Sequence, residues 1–348
     1  MIKVLIVDDS ATVRRILTDS LAKEQDIHVV GAAPDPYVAR EMVVSLQPDV
    51  MTLDIEMPRM DGLSFLDKMM RHWPMPVVVI SSLTQKGSDE AMRALDLGAV
   101  EVLTKPGSAY SVAELGPILG RTIRAAYAAR TRLRPPLAAP AHSGPVAKPP
   151  LLGRTTNKIL AIGASTGGTD AIKTVLDGLP GDTPGTIIVQ HMPPMFTASF
   201  ANRLNQTSRL RVAEARGGEE LLPGLAFVAP GGHHVVVVRS GAKYHLELRD
   251  GPPIHFQRPA VDVTFMSVAK AAGANAVGVL LTGMGTDGAE GLRAMRQAGA
   301  HTIGQDEASS VVYGMPKAAY DCGAVVEQAS LGRVATKALE ALARIRVE

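Results

Sequence analysis

The chain has 348 residues with 36 basic and 34 acidic side chains, a net charge of +2, so no global field argues for a nucleic acid or membrane partner. At roughly 150 residues per domain the length suggests two domains. Hydrophobic residues make up 46% and aromatics only 4%, which suits Ala, Val, Leu and Ile packing of helices on a parallel sheet and argues against an all-β sandwich.

The first 125 residues alternate short β-branched runs with helical patterns. Segments 2–7, 28–31, 50–53, 77–80 and 101–103 read as strands, and 10–24, 36–46, 62–71, 87–97 and 111–129 as helices. In the first helix Ser10 is placed to cap, while Val13, Ile16, Leu17 and Leu21 share one face. Five such units predict an N-terminal (βα)5 doubly wound domain over residues 1–125. The opening MIKVLIVDDS has only four consecutive apolar residues before its acids, so it reads as neither a signal peptide nor a membrane span, and no direct membrane insertion is expected. The single cysteine, Cys322, excludes an intramolecular disulfide and fits a reducing, cytoplasmic setting.

Residues 126–157 read as a Pro-rich basic linker. Six prolines fall between 131 and 153, and eight basic residues with no acid lie between 121 and 158. A second domain is expected over 158–345. Its strands are predicted at 159–162, 186–189, 225–228, 235–239, 244–248, 276–281 and 301–304, with helices near 168–177, 197–205, 261–272 and 288–298. That pattern predicts another doubly wound, mostly parallel α/β domain with a small antiparallel insert around 225–250.

In an open parallel sheet ligands sit at the carboxyl ends of the strands. Asp8 and Asp9 follow the first strand, Asp54 the third, Ser81 the fourth and Lys105 the fifth. Carboxylates brought together repel unless a divalent cation neutralises them, and Mg²⁺ is the hard, oxygen-seeking ion that also shares phosphoryl oxygens. An Asp ending a strand also serves often as a helix cap or solvated turn residue. The full set resembles the receiver domain of two-component response regulators. By that resemblance Asp54 is the phosphorylated residue, Asp8, Asp9, Asp54 and the Glu56 carbonyl hold Mg²⁺, Ser81 senses the phosphoryl group, Lys105 pairs with it, and the Lys105-Pro106 bond is cis.

In the second domain, Gly163-Ala164-Ser165-Thr166-Gly167-Gly168 lies between a strand and a helix and satisfies G-x-S-x-G in the context that motif needs. A Gly-rich turn of this kind also cradles phosphate, so alone it is ambiguous. His191 directly follows a second strand, and Asp287 lies in the loop after another. Three strands would thus deliver a nucleophile, a base and an orienting acid to one edge, the roles serine hydrolysis requires. His233 and His234 compete for the base but precede a strand, which places them at the other edge as turn or packing histidines. Asp287 also reads as an N-cap for the helix ending before Gly299.

The order Ser, His, Asp differs from that of the α/β-hydrolases. It resembles the catalytic domain of the chemotaxis methylesterase (CheB) family over about 158–345, through GASTGG, QHMPPMFTASFANRL, APGGHH, RPAVDVTF, LTGMGTDGAEGL and QDEASSVVYGMPKAA. The resemblance implies Ser165 as nucleophile, His191 as base and Asp287 as orienting acid, with Thr166 beside the serine and the Met284 N–H as oxyanion donor. It implies a phosphorylation-activated esterase that demethylates glutamate methyl esters on chemoreceptors and deamidates receptor glutamines, with a histidine kinase as phosphodonor and no cofactor for the ester chemistry. The unphosphorylated receiver would cover the catalytic cleft. A transcriptional regulator is the competing class, but residues 158–345 show no compact helix-turn-helix and no basic face. An inactive adaptor of the same fold is the other alternative, and labelling of Ser165 by a serine-directed phosphonate separates it from an enzyme.

Overall fold

The computed structural model describes residues 1–57, 60–105, 112–132 and 157–345. The chain divides into two compact units, residues 1–142 and 143–348. Most of the expected linker and the bond before Pro106 lie outside the described residues.

The first unit is built from β1 (Ile2–Val7), α1 (Ala11–Leu21), β2 (Ile27–Ala33), α2 (Pro36–Leu46), β3 (Val50–Asp54), α3 (Gly62–His72), β4 (Val77–Ser81), α4 (Gln85–Asp96), β5 (Glu101–Thr104) and α5 (Val112–Ala129). All strand pairings are parallel, in the order β2-β1-β3-β4-β5. The strand order reverses between β1 and β3, where Asp8 and Asp54 lie. Strands β3 and β4 are buried along their whole length, as expected where helices cover both faces. Capping fixes the helix starts: Ser10 Oγ accepts the Val13 N–H, Asp35 accepts from Tyr37 and Val38, and Asp61 accepts from Ser64.

The second unit contains β6 (Ile159–Ala164), α6 (Gly168–Asp177), β7 (Thr186–Gln190), α7 (Phe196–Thr207), β8 (Arg211–Glu214), β9 (Leu225–Val228), β10 (His234–Ser240), β11 (Lys243–Arg249), α8 (Val261–Ala272), β12 (Ala276–Leu280), α9 (Ala289–Gln297), β13 (His301–Gln305), α10 (Met315–Asp321), β14 (Glu327–Ala329) and α11 (Leu331–Arg344). Seven parallel strands run in the order β14-β13-β12-β6-β7-β9-β8. The chain starts at β6, winds outward one way through β7, then returns to β12 on the other side, so the switch point lies between β6 and β12. Among the strands of the described residues only β10 and β11 pair antiparallel. The segment 225–228, expected in the antiparallel insert, instead joins the main sheet in parallel with β7 and β8. Four elements absent from the sequence reading, β8, β14, α10 and α11, complete the unit.

Gly62 opens α3 directly beneath the Asp54 strand end. A Cβ there would lie 2.3 Å from the Asp54 carbonyl oxygen and 2.7 Å from Ile55 Cα. At an unobstructed helical position Ala is favoured over Gly by about 1 kcal/mol. Here the sign should reverse: Gly62→Ala is expected to lower the stability of the first unit by about 1–3 kcal/mol, read as the urea midpoint of the sole tryptophan, Trp73. An unchanged or higher midpoint would contradict the close approach.

Candidate active site

The register of the three central strands sets the second unit's site. Ala164 of β6 pairs with Gln190 of β7, and Gly163 pairs with Leu280 of β12, so all three strands end at the same level. Ser165 follows β6, and its N–H donates to the Thr282 carbonyl at 3.0 Å. His191 follows β7, and its N–H donates to the Ala164 carbonyl at 3.2 Å. Backbone bonds between neighbouring loops therefore place the side chains before those side chains interact.

They interact in a chain. His191 Nδ1 lies 3.1 Å from Ser165 Oγ, and His191 Nε2 lies 2.7 Å from Asp287 Oδ2. Ser165 and His191 are each 8% exposed and Asp287 2%, so water scarcely screens them. Burial alone would raise the Asp287 pKa, but the His191 hydrogen bond and charge, with the Asp262 and Val261 amides, outweigh it and hold the carboxyl below its usual range. An ionised carboxylate only accepts, so His191 Nε2 carries the proton. Nδ1 is then free to accept from the serine hydroxyl, the reverse of the nitrogen usage in the chymotrypsin arrangement.

The cap expected of Asp287 is made to a different helix. The N-cap of α9 is Gly288, without a side-chain bond. Asp287 instead accepts from the first amides of α8, Val261 N–H at 2.7 Å and Asp262 N–H at 2.9 Å. That end of a helix favours negative charge, which is why the carboxylate tolerates burial.

Among the described residues the hydrogen bonds of His233 and His234 go to groups other than Ser165, and their expected place at the far edge of the main sheet is corrected, since His233 precedes and His234 opens the separate β10/β11 ribbon. His233 Nδ1 pairs with Asp250 at 2.9 Å. His234 Nδ1 accepts the Ala260 N–H at 3.2 Å, just before α8 begins. A buried amide layer that the sequence reading did not single out supports the loops. Gln190 Nε2 donates to the Ser165 carbonyl at 2.9 Å, Gln305 Oε1 accepts the Thr282 N–H at 2.8 Å, and Thr282 Oγ1 donates to the Thr166 carbonyl at 3.0 Å. The available signal was a glutamine closing each of two buried strands, Thr186–Gln190 and His301–Gln305. Thr166 is buried and Met284 half-buried, on the two loops that flank the serine.

In the first unit, Asp8, Asp9 and Asp54 each offer an oxygen within 4.8 Å of the others. Asp54 Oδ2 accepts from Lys105 Nζ at 2.8 Å, and its Oδ1 accepts the Glu56 N–H at 3.0 Å. Asp8 Oδ2 is buried without a hydrogen-bond partner among the described residues, an orphaned acceptor of the kind a hard divalent cation satisfies. Burial, with Asp54 beside it, pushes the Asp8 pKa up to about 6, and burial also raises that of Asp54 against the pull of Lys105. Ser81 is brought to the end of β4, where its hydroxyl donates to the Gly87 carbonyl at 3.1 Å.

Fold and sites together define a receiver-type α/β unit joined in one chain to an α/β unit with a serine hydrolase centre. Residues 4–114 match the response regulator receiver domain and residues 160–338 the CheB methylesterase family. The protein-glutamate methylesterase/protein-glutamine glutaminase 2 of Syntrophus aciditrophicus is 54% identical over 334 residues, 96% of this chain and 97% of the relative. The protein-glutamate methylesterase/protein-glutamine glutaminase of Salmonella typhimurium is 52% identical over 340 residues, 97% and 96% of the two chains. The CheB methylesterase catalytic domain of Thermotoga maritima superposes with a TM-score of 0.52 at 38% identity, over 53% of this chain and 97% of that one. The chain belongs to the CheB methylesterase family and carries a response regulator receiver domain.

One glycine fixes the distance between the serine and the Asp287 loop. A Cβ on Gly283 would stand 2.7 Å from Ser165 Cβ and 2.3 Å from Met315 Sδ. Displacements of about 1 Å cost such sites on the order of 100-fold. Gly283→Ala is therefore expected to slow phosphonate labelling of Ser165 by ~10-fold or more with circular dichroism unchanged. Labelling at the wild-type rate would contradict the packing.

Proposed function

We propose that this chain is a phosphorylation-activated, cytoplasmic protein-glutamate methylesterase that also deamidates protein glutamine, acting on methyl-accepting chemoreceptors. The observation that carries the reading is the buried chain from Ser165 through His191 to Asp287 at the switch point of the sheet. Ser165 Oγ attacks the γ-carbonyl of the glutamyl methyl ester while His191 Nδ1 takes its proton. The oxyanion that forms is met by the Met284 N–H, with Thr166 beside the serine. The neighbouring Gly283 amide is already engaged with the Val312 carbonyl at 3.0 Å. One such donor contributes on the order of 3 kcal/mol to lowering the barrier. His191 returns the proton to the departing methoxide, and methanol leaves. Water, activated by the same imidazole, then attacks the acyl-enzyme and leaves a glutamate side-chain carboxylate in the receptor, with the proton returned to Ser165. A glutamine side chain presents the same carbonyl with ammonia as leaving group.

Asp54 is the phosphoryl acceptor in this reading, supplied by a histidine kinase. Lys105 offsets the charge on the group, and Ser81, released from Gly87, contacts it. Asp8, Asp9, Asp54 and the Glu56 carbonyl would hold Mg²⁺, which supplies positive charge to the transferring phosphoryl group when bound. The domains are proposed as residues 1–125 and 158–345 joined by the linker 126–157. The receiver inhibits the esterase until phosphorylated, because a phosphoryl group adds charge enough to bias an interface between states. Among the described residues no helix is long and apolar enough to cross a membrane.

The direct test is methanol release from methylated receptor membranes, with and without acyl phosphate. Turnover stimulated by acyl phosphate and abolished in Ser165→Ala is expected. Substantial turnover by Ser165→Ala would remove the nucleophile, and turnover indifferent to acyl phosphate would remove the regulation.

Asp8 gives a pH dependence with a defined sign. Its folded pKa of about 6 exceeds the ordinary 3.8, so the folded, metal-free chain binds this proton more tightly than the unfolded chain does. The stability associated with it is complete below 3.8 and is lost as pH rises through 6. Mg²⁺ must displace that proton, so its affinity should weaken by up to about tenfold per pH unit below 6. Trp73 fluorescence titrations at pH 7.5 and 5.5 check this, and equal affinities would contradict it.

A further inference from the structure

The buried polar chain does not stop at Asp287. Asp262, in the first turn of α8, is 4% exposed and clusters with Asp287 and His255, one ligand-type atom of each lying within 4.8 Å of the others. Its Oδ1 accepts the Gly291 N–H of α9 at 2.7 Å, and its Oδ2 faces His255 Nε2 at 3.2 Å. Its own N–H is one of the two amides holding Asp287. Two carboxylates this close repel each other in a poorly polar setting. Burial raises the Asp262 pKa, the Gly291 amide opposes this, Asp287 adds to it, and His255 lowers it again. Asp262 from α8 faces His255 Nε2, and Asp287 from the loop before α9 belongs to the same cluster.

The backbone presenting His255 is held in an unfavourable conformation. Residues 254–257 form a turn closed by Gln257 N–H to the Ile254 carbonyl at 2.8 Å and Ile254 N–H to the Gln257 carbonyl at 3.0 Å. Its two central residues, His255 and Phe256, both have positive φ, 51° and 64°. Turns of that hand ordinarily take Asn, Asp or Gly there. Non-glycine residues stay in this region when their surroundings over-determine it, and such positions gather at functional sites. The contact with buried Asp262 is such a constraint.

We propose that His255 and Asp262 are positioning residues for the serine hydrolase reaction: a second imidazole–carboxylate pair whose negative end lies behind Asp287 and strengthens His191 as a base. The proposal rests on the esterase reading. A carboxylate charge on Asp262 near Asp287 favours the protonated form of His191, and the charge and hydrogen bond of His255 favour that ionised form of Asp262 against its burial.

Asp262→Asn retains an oxygen for Gly291 and an amide for His255 while removing the charge. In methanol-release kinetics on the full chain, kcat is expected to fall about threefold to tenfold at unchanged KM. The acid limb of kcat should move to lower pH by about half a unit or more, a shift that a purely structural cap would not produce. His255→Gln should move the limb the same way and add nothing in the Asp262→Asn background. With an active wild-type chain, an unshifted limb in Asp262→Asn, or an undiminished His255→Gln effect in that background, overturns the proposal. If Asp262→Asn does not fold, the limb in His255→Gln decides, and an unshifted one overturns it. A wild-type chain that releases no methanol fails the esterase reading itself, and the proposal with it.

Discussion

Asp287 is a carboxylate buried at the carboxyl edge of an apolar sheet, where an isolated charge would take up a proton instead. It stays ionised because the first two amides of α8 and the imidazole of His191 converge on it. That single condition sets the chemistry of the other two residues. With Asp287 restricted to accepting, His191 presents Nδ1 to the serine in the form that takes a proton. The helix is thus an electrostatic part of the site as much as a packing element, since its N-terminus supplies fixed dipoles that need no reorganisation when imidazolium forms.

Both units place their chemistry by the same topological device. In the receiver, β1 and β3 flank the reversal of strand order and deliver Asp8 and Asp54. In the esterase unit, β6 and β12 flank the reversal and deliver Ser165 and the Asp287 loop, with β7 adding His191. At such a point adjacent helices leave on opposite faces and open a crevice, so side chains distant in sequence can meet without disturbing the core. The two sites solve opposite problems of charge. The receiver gathers carboxylates that call for a cation, with Asp8 Oδ2 unpartnered among the described residues, whereas the esterase unit turns helix amides on its buried carboxylates, those of α8 on Asp287 and that of Gly291 on Asp262.

The parts legible in the sequence are those where local pattern and chemistry coincide. Apolar runs ending in Asp54, Ser165 or His191 marked strand ends, because fully buried parallel strands admit few polar residues before they terminate. What escaped is what only pairing or distance creates. Glu327–Ala329 has no strand character of its own and extends only because β13 offers it a ladder. Arg211–Glu214 is a short edge strand with charges at both ends. The 225–228 segment was grouped with its neighbours in sequence, whereas its partners are β7 and β8. Helix α11 did carry a signal, with Val334, Ala335, Ala338, Ala341 and Leu342 on one buried face. Asp287 offered two uses in the sequence, cap of α9 and partner of the histidine; it does bond His191, but it leaves α9 uncapped and accepts from a helix start some 26 positions earlier in the chain, beyond the reach of any local rule.

The central claim is that Asp287 selects which ring nitrogen of His191 carries the proton. Nitrogen-15 NMR of the chain with labelled histidine, at a pH where the ring is neutral, reads this directly. The account predicts a protonated Nε2 and a bare Nδ1 for His191, with that preference lost in Asp287→Ala. A His191 ring protonated at Nδ1 in the unmodified chain would contradict it.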